Sequence, residues 1–284
     1  MAAHHDPCAS AAKQRVSVVI AAYNEESTIA TILRSLLGLP VDLAEIVVVD
    51  DGSTDRTAEI VWGFVETDPR VHLICQPRNM GKTSAIARAI SEASGDIVIV
   101  QDADLEYDPA EIPDVLAPIL QGQADVVYGS RFMVRKASRV LYFYHYLANR
   151  GLTFLSNVLT NRNMTDIETC YKAFRTGVIK PLTLTSKGFG MEVEITAMVC
   201  KTHARTYEVP ISYYGRTYEE GKKIGMRDGI MALYYIAYYN LVKPRTAAGR
   251  RYIQAVNAFL AEHKPSHAES TAKADSLEPV SKGR

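Results

Sequence analysis

The sequence predicts an α/β protein in which a mostly parallel sheet is covered by helices on both faces. Three observations lead there. Short β-branched runs alternate with helical-period stretches through residues 15–130. The runs are apolar enough to be buried on both sides, as parallel strands are. Three of them end in polar clusters, the kind of edge at which such sheets collect ligands.

The run 16–22 reads as a first buried strand. Ser27 stands where a helix N-cap belongs, and Ile29, Ile32, Leu33, Leu36 and Leu37 follow at amphipathic helical spacing. A second strand, 46–49, ends in Asp50-Asp51-Gly52-Ser53, and a helix from residue 55 onward turns Val61, Phe64 and Val65 inward. Strand 71–75 precedes a helix over 83–93, and strand 97–100 runs into Gln101-Asp102-Ala103-Asp104. Ile112, Val115, Leu116, Ile119 and Leu120 repeat the helical spacing before a strand at 125–128. Beyond that the pattern is less regular. Segment 140–159 is rich in aromatics and leucine with basic ends, 188–200 and 226–241 read as helices, and 209–214 reads as a strand. Tyr252, Ile253, Val256, Phe259 and Leu260 mark a last amphipathic helix. The expected organisation is a disordered extension (1–14), one α/β domain (15–242), a C-terminal amphipathic helix (243–263) and a disordered tail (264–284) with little to bury.

Composition narrows the function. Nearly half of the 284 residues (47%) are apolar, which excludes a disordered or fibrous chain. Lys+Arg and Asp+Glu are both 32, so bulk charge gives no hold on nucleic acid, and no nucleic-acid partner is expected. Cys8, Cys75, Cys170 and Cys200 are scattered without a paired spacing, as reduced thiols of a cytoplasmic protein are. No signal-peptide core and no stretch of membrane-spanning length is present, so the chain is expected in the cytoplasm, at most peripheral to the inner face of a membrane. Segments 140–159 and 226–242 pair tyrosine-rich apolar faces with basic residues, which suits a headgroup layer, the core or a dimer interface alike. Nothing in the sequence sets the oligomeric state.

Tyr23-Asn24-Glu25, Asp50-Asp51-Gly52-Ser53 and Asp102-Ala103-Asp104 converge on one strand edge. Any one of them would pass as a turn or cap; three in one crevice point to a ligand site. Asp102 and Asp104 are hard oxygen donors spaced to meet Mg²⁺ or Mn²⁺, with Glu106 as a further ligand, and such an ion steadies a departing diphosphate. Gly81-Lys82-Thr83 imitates the end of a phosphate-binding loop, but Gln76 stands where its first glycine is required, which leaves Lys82 as a simple cation facing a phosphate. No dinucleotide fingerprint and no Gly-x-Ser-x-Gly elbow occurs.

Ala21-Ala22-Tyr23-Asn24-Glu25, Val49-Asp50-Asp51-Gly52-Ser53-Thr54-Asp55, Asn79-Met80-Gly81-Lys82 and Asp102-Ala103-Asp104-Leu105 together resemble the family 2 glycosyltransferases, which have the GT-A fold. Ala22 replaces the usual proline. Gly129-Ser130-Arg131-Phe132, the segment Asp166-Ile167-Glu168-Thr169-Cys170-Tyr171-Lys172-Ala173-Phe174-Arg175, Gly188-Phe189-Gly190-Met191-Glu192-Val193-Glu194 and Val209-Pro210-Ile211 are similar to the dolichol-phosphate mannosyltransferase-like branch, and extend the resemblance to residue 240. The resemblance implies an inverting transfer from a nucleotide-sugar donor, GDP-mannose or a UDP-hexose, to a polyprenyl phosphate. Many members of the branch carry C-terminal transmembrane helices. Ala22, Tyr23, Glu25, Asp51, Lys82 and Ala103 would line the donor site with Asp102 and Asp104, which meet the metal; Glu106 stands where a glutamine is common. Arg131, Arg216 and Lys222 would bind phosphates. Asp104, Arg131 and Asp166 would be catalytic, Asp166 by orienting an arginine. A phosphate acceptor needs no general base; a saccharide hydroxyl, the alternative acceptor, would need one, from Asp166, Glu192 or Glu194. A nucleotide-sugar-binding protein without turnover is the non-enzymatic rival.

Overall fold

The computed structural model describes residues 14–133, 139, 142–215 and 226–263. The expected disordered tail and all but residue 14 of the N-terminal extension lie outside them, as do Arg216 and Lys222. The elements, in chain order, are β1 (Val16–Ala22), α1 (Ile29–Leu37), β2 (Leu43–Asp50), α2 (Thr57–Val65), β3 (Val71–Cys75), α3 (Lys82–Glu92), β4 (Ile97–Asp102), α4 (Ile112–Leu120) and β5 (Val126–Ser130). They continue with α5 (Phe143–Thr160), β6 (Lys172–Arg175), α6 (Thr176–Ile179), α7 (Met191–Val199), β7 (Thr206–Pro210), α8 (Met226–Leu241) and α9 (Ala247–Glu262).

Among the described residues the strands form one seven-stranded sheet in the order β3-β2-β1-β4-β6-β5-β7. Only β6 runs antiparallel, pairing Ile97 with Arg175 on one side and Val126 with Phe174 on the other. Alternate residues of each strand enter opposite cores. Val18, Ile20, Ile46, Val48 and Ile99 face α1, α2 and α4, whereas Val19, Val47, Val98 and Val100 face α3, α7 and the C-terminal helices. Both faces being covered explains why these strands are apolar throughout. The C-terminal helix α9 is part of the second core through Tyr252 and Val256.

Three local expectations differ from the structure. Ser27 does not cap α1: Thr28 precedes the helix without a capping side chain, and the Glu25 carbonyl takes the N–H groups of Thr28 and Ile29. The last strand is Thr206–Pro210, not 209–214. Past Pro210 the amides leave the ladder, Ser212 donating to the Glu111 carboxylate at 2.7 Å and Tyr214 to the Glu106 carbonyl at 2.9 Å. Finally, β6 was not expected as a strand at all. Its four residues include buried Lys172, so neither alternation nor an apolar run announces it.

The chain goes from β1 to β2 on one side and later to β4 on the other. The carboxyl ends of β1 and β4 therefore flank the switch point at which open α/β sheets bind ligands.

Candidate active site

The loop after β1 is stitched to the loop after β2. Asn24, at a φ of 55°, donates its N–H to Ser53 Oγ (3.0 Å) and accepts from Thr54 N–H through Oδ1 (2.8 Å). Glu25 N–H reaches Thr57 Oγ1 at 2.8 Å, and Thr28 Oγ1 donates to the Glu25 carboxylate at 3.1 Å. Tyr23 stays 37% exposed at the rim, its ring available to a flat ligand. Ala22 is buried and offers only backbone: its carbonyl takes the Asp51 N–H at 2.8 Å.

Asp51, 3% exposed, closes this half of the site. Its two oxygens accept from the N–H groups of Met80 (2.7 Å) and Gly81 (2.8 Å), which fixes the loop that opens α3. A carboxylate has about four acceptor directions, so two bonds leave capacity for a donor N–H. Gly52 sits beside it at a φ of +73°, and a Cβ there would stand 2.6 Å from the Arg78 carbonyl carbon. The close approach of the two loops therefore requires glycine.

At the end of β4, Asp102 Oδ1 lies 2.8 Å from Lys82 Nζ. Lys82 is thus turned inward onto Asp102, the Cys170 sulfur at 2.9 Å and Glu192 at 3.6 Å, instead of outward toward a phosphate. Burial alone would depress the lysine, but Asp102, Cys170 and Glu192 outweigh it and raise its pKa well above the ordinary value. Burial likewise opposes ionisation of Asp102, and Lys82 overrides it, leaving that carboxylate below its usual range. Asp104 accepts the Glu106 N–H at 3.1 Å. Ala103 is buried in the core, so only its backbone reaches the edge.

Glu106, expected as a further metal ligand, accepts the Tyr213 hydroxyl at 2.9 Å through one carboxylate oxygen. Among the described residues no three His, Cys, Asp or Glu side chains gather as a metal site. Asp102 and Asp104 alone would suffice for a nucleotide-bound Mg²⁺ or Mn²⁺, which takes one or two protein carboxylates and fills its other positions with phosphate oxygens and water.

The other wall is built on Arg131, directly after β5. Its Nε and Nη2 donate to Asp166 Oδ2 and Oδ1 at 2.7 and 2.8 Å, and its backbone N–H reaches Oδ2 at 3.1 Å. The Tyr213 ring lies under the guanidinium at 5.1 Å. Asp166 is fully buried and the Arg131 side chain 12% exposed. Burial alone would lower the arginine's pKa, yet Asp166 carries it well above normal, so it stays charged. Asp166 takes the Nε and Nη2 side of the guanidinium, and the opposite edge has the fork geometry that suits bidentate contact with a phosphate.

The remaining carboxylates differ in role. Glu194, a candidate base, is fully buried and accepts from Thr185 N–H, Thr185 Oγ1 and Ser186 N–H at 2.7–3.0 Å, with Lys243 at 3.7 Å. It is a structural latch, too enclosed to take a substrate proton. Glu192 receives the Cys170 thiol at 3.4 Å through Oε1, and its Oε2 is buried with no partner among the described residues. Glu168, to which the sequence pattern assigns no role, has a buried Oε1 with no partner among the described residues, and burial followed by Glu192 pushes its pKa up to about 8. Nearby Lys172 is buried and donates to the carbonyls of Ile167 and Thr169; burial lowers its pKa. A loop glutamate gives no periodic signal, and its partner Glu192 is distant in sequence, so this pair emerges only in three dimensions.

Residues 17–183 match the model of the family described as Glycosyl transferase family 2. A dolichol-phosphate mannosyltransferase of Pyrococcus furiosus is 33% identical over 217 residues, covering 74% of this chain and 60% of that protein. An undecaprenyl-phosphate 4-deoxy-4-formamido-L-arabinose transferase of Edwardsiella ictaluri is 32% identical over 229 residues, covering 79% and 66%. The chain thus spans somewhat under two thirds of the length of these relatives. Among solved structures, glucosyl-3-phosphoglycerate synthase from Mycobacterium tuberculosis with Mn²⁺, uridine diphosphate and phosphoglyceric acid superposes with a TM-score of 0.63 at 19% identity, covering 81% of this chain and 79% of that one. That likeness carries the fold. The chain belongs to glycosyl transferase family 2 and has its GT-A fold.

Proposed function

We propose that the chain is an inverting glycosyltransferase that moves a sugar from a nucleotide-diphosphate sugar to a polyprenyl phosphate at the cytoplasmic face of a membrane. The observation that carries the acceptor reading is the buried Arg131–Asp166 clamp, which holds a charged guanidinium at the same sheet edge as Asp102 and Asp104. The names of the relatives above support it. On the donor side, Tyr23 stacks on the base, Glu25 takes the ribose and Asp51 accepts an imino N–H, the last from a carboxylate already fixed by Met80 and Gly81. Asp102, braced by Lys82, and Asp104 would hold a divalent ion, which would supply charge stabilisation for a departing diphosphate.

A phosphate monoester is ionised near neutral pH and attacks the anomeric carbon without a base. Catalysis then rests on positioning and charge compensation by Arg131. Arg216 and Lys222 join it on the phosphates in this reading. Among the described residues no helix is long and apolar enough to cross a membrane. Membrane contact falls to α5 and α8, where Phe143 (66%), Tyr144 (81%), Phe154 (70%) and Ile230 (62%) are exposed, as is Arg150 on α5. Exposed aromatic rings and an exposed cation fit the headgroup layer of anionic lipid.

The test is transfer from radiolabelled UDP-sugars and GDP-mannose, with Mg²⁺ or Mn²⁺, into lipid-extractable product on a polyprenyl phosphate, with Asp104→Ala as control. Label in the organic phase that the variant loses is the expected result. Donor binding with no lipid product turns the assignment to the saccharide acceptor, and no metal-dependent donor binding overturns the transferase.

A further inference from the structure

The loop that carries Asp166 has no strand neighbour of its own, so its backbone amides need other acceptors. Asn157 on α5 brackets Met164, donating to its carbonyl at 2.7 Å and accepting its N–H at 3.1 Å. The next two amides go to a single side chain on β7: Glu208 accepts from Thr165 N–H through both oxygens at 2.9 Å and from Asp166 N–H at 3.2 Å. Thr165 is also held to Ser130, the residue before Arg131, by a 2.6 Å bond between hydroxyls. A continuous run of bonds therefore leads from β7 through Thr165 and Asp166 to the Arg131 guanidinium.

A carboxylate is an odd choice for this post. Burial pushes the Glu208 carboxyl above its ordinary range, and the charge of Asp166 adds to that, while the loop amides pull it back. An amide side chain would avoid the repulsion, but where Oε2 now shares the Thr165 N–H it would turn an N–H₂ group toward that donor, leaving the single oxygen in the place of Oε1 to hold both amides. We propose that Glu208 is a positioning residue for the acceptor: by fixing the Thr165 and Asp166 amides it sets the angle at which Asp166 presents Arg131 to the acceptor phosphate. The statement about the acceptor rests on the phosphate reading above; the geometric statement about Arg131 does not.

Two measurements on the full chain test it. The first is the Arg131 Nε–Hε resonance of ¹⁵N-labelled protein, assigned through Arg131→Lys. Its solvent exchange is expected to be slow in the unaltered protein and faster by roughly tenfold in Glu208→Gln, by analogy with the lower end of what losing an orienting partner costs a metal-ligating side chain. An Arg131 resonance unchanged in Glu208→Gln overturns the proposal. The second is kinetic: the KM for polyprenyl phosphate rises in Glu208→Gln while the affinity for UDP or GDP with Mn²⁺ is kept. An acceptor KM equal to that of the unaltered protein overturns the proposal, as does an equal loss of nucleotide affinity, which would make Glu208 a general support of the fold. Arg131→Lys separates the two ideas. If it leaves the acceptor KM unchanged, the phosphate reading falls, and the resonance alone decides for Glu208. Should Glu208→Gln fail to fold, Glu208→Asp, one methylene shorter with its charge intact, is read in the same way.

Discussion

Asp166→Asn is the sharpest perturbation of the site. In the native protein three N–H groups of Arg131 converge on the two Asp166 oxygens. An asparagine keeps the shape and one oxygen but turns an N–H₂ toward a guanidinium that remains charged. Breaking a buried pair from one side costs about 3–5 kcal/mol, because the other charge is left without compensation. Arg131 is 12% exposed, so water relieves part of this, and the lower end of about 3 kcal/mol applies. For a domain of this size that is a fall in Tm of roughly 6–12 °C. Urea denaturation of Asp166→Asn, Arg131→Met and the double variant forms a cycle. The double variant is expected to be less destabilised than the sum of the singles by at least about 2 kcal/mol, since both ions leave together. Additive losses, or a cost for Asp166→Asn under about 1 kcal/mol, the range of an exposed pair, would refute the reasoning.

Other substitutions probe separate parts of the argument. Gly52→Ala puts a side chain at a φ of +73° against Arg78 backbone. The left-handed conformation alone costs about 1–2 kcal/mol, and the collision adds to it. Hydrogen exchange at the Met80 and Gly81 amides should quicken as Asp51 loses its hold, and unchanged stability would sink the account of the loop. Glu168, with its pKa near 8, binds a proton in the folded state that the unfolded chain releases above the ordinary carboxyl value of 4.5. Its contribution to stability is therefore full below about pH 4.5 and fades as pH rises through about 8. Denaturation across that window should show Glu168→Gln gaining on the unaltered protein with rising pH; a constant difference speaks against the buried, protonated carboxyl. Thr246 caps α9 by accepting the Gly249 N–H at 3.1 Å. Thr246→Ala should cost about 1 kcal/mol by the same assay, and no loss would mean that water replaces the cap.

The parallel half of the fold was legible because Val18, Ile46 and Ile99 belong to short β-branched apolar runs, the pattern of strands buried on both faces, set between stretches of helical period. The later half was harder to read for a physical reason: its strands owe their place to partners, not to their own pattern. Lys172 is buried inside a strand, which local sequence argues against, because its ammonium finds the carbonyls of Ile167 and Thr169. In the site, the motifs named Asp51, Asp102, Asp104, Arg131 and Asp166 but not their bonds. Sequence sees Lys82 as a cation beside a glycine; only the fold brings Cys170 and Glu192 round to turn it inward. Glu208 precedes the Val209-Pro210-Ile211 motif and looks like any strand glutamate until the Thr165 and Asp166 amides arrive.

The antiparallel strand has a consequence for how the chain is made. Among the described residues β5 pairs only with β6 and β7, both of which lie later in the chain. While β1 to β4 assemble as they emerge from the ribosome, β5 must wait for Lys172–Arg175 and then Thr206–Pro210. At ~5–20 residues per second that is a delay on the order of several seconds, with Val126 and Val127 exposed and both edges of a hydrophobic strand open. The candidate site, with Arg131 at the end of that strand, is thus among the last parts of the molecule to form, and the nascent protein passes through an interval in which the side around Asp51 is folded while the side around Arg131 still exposes apolar surface.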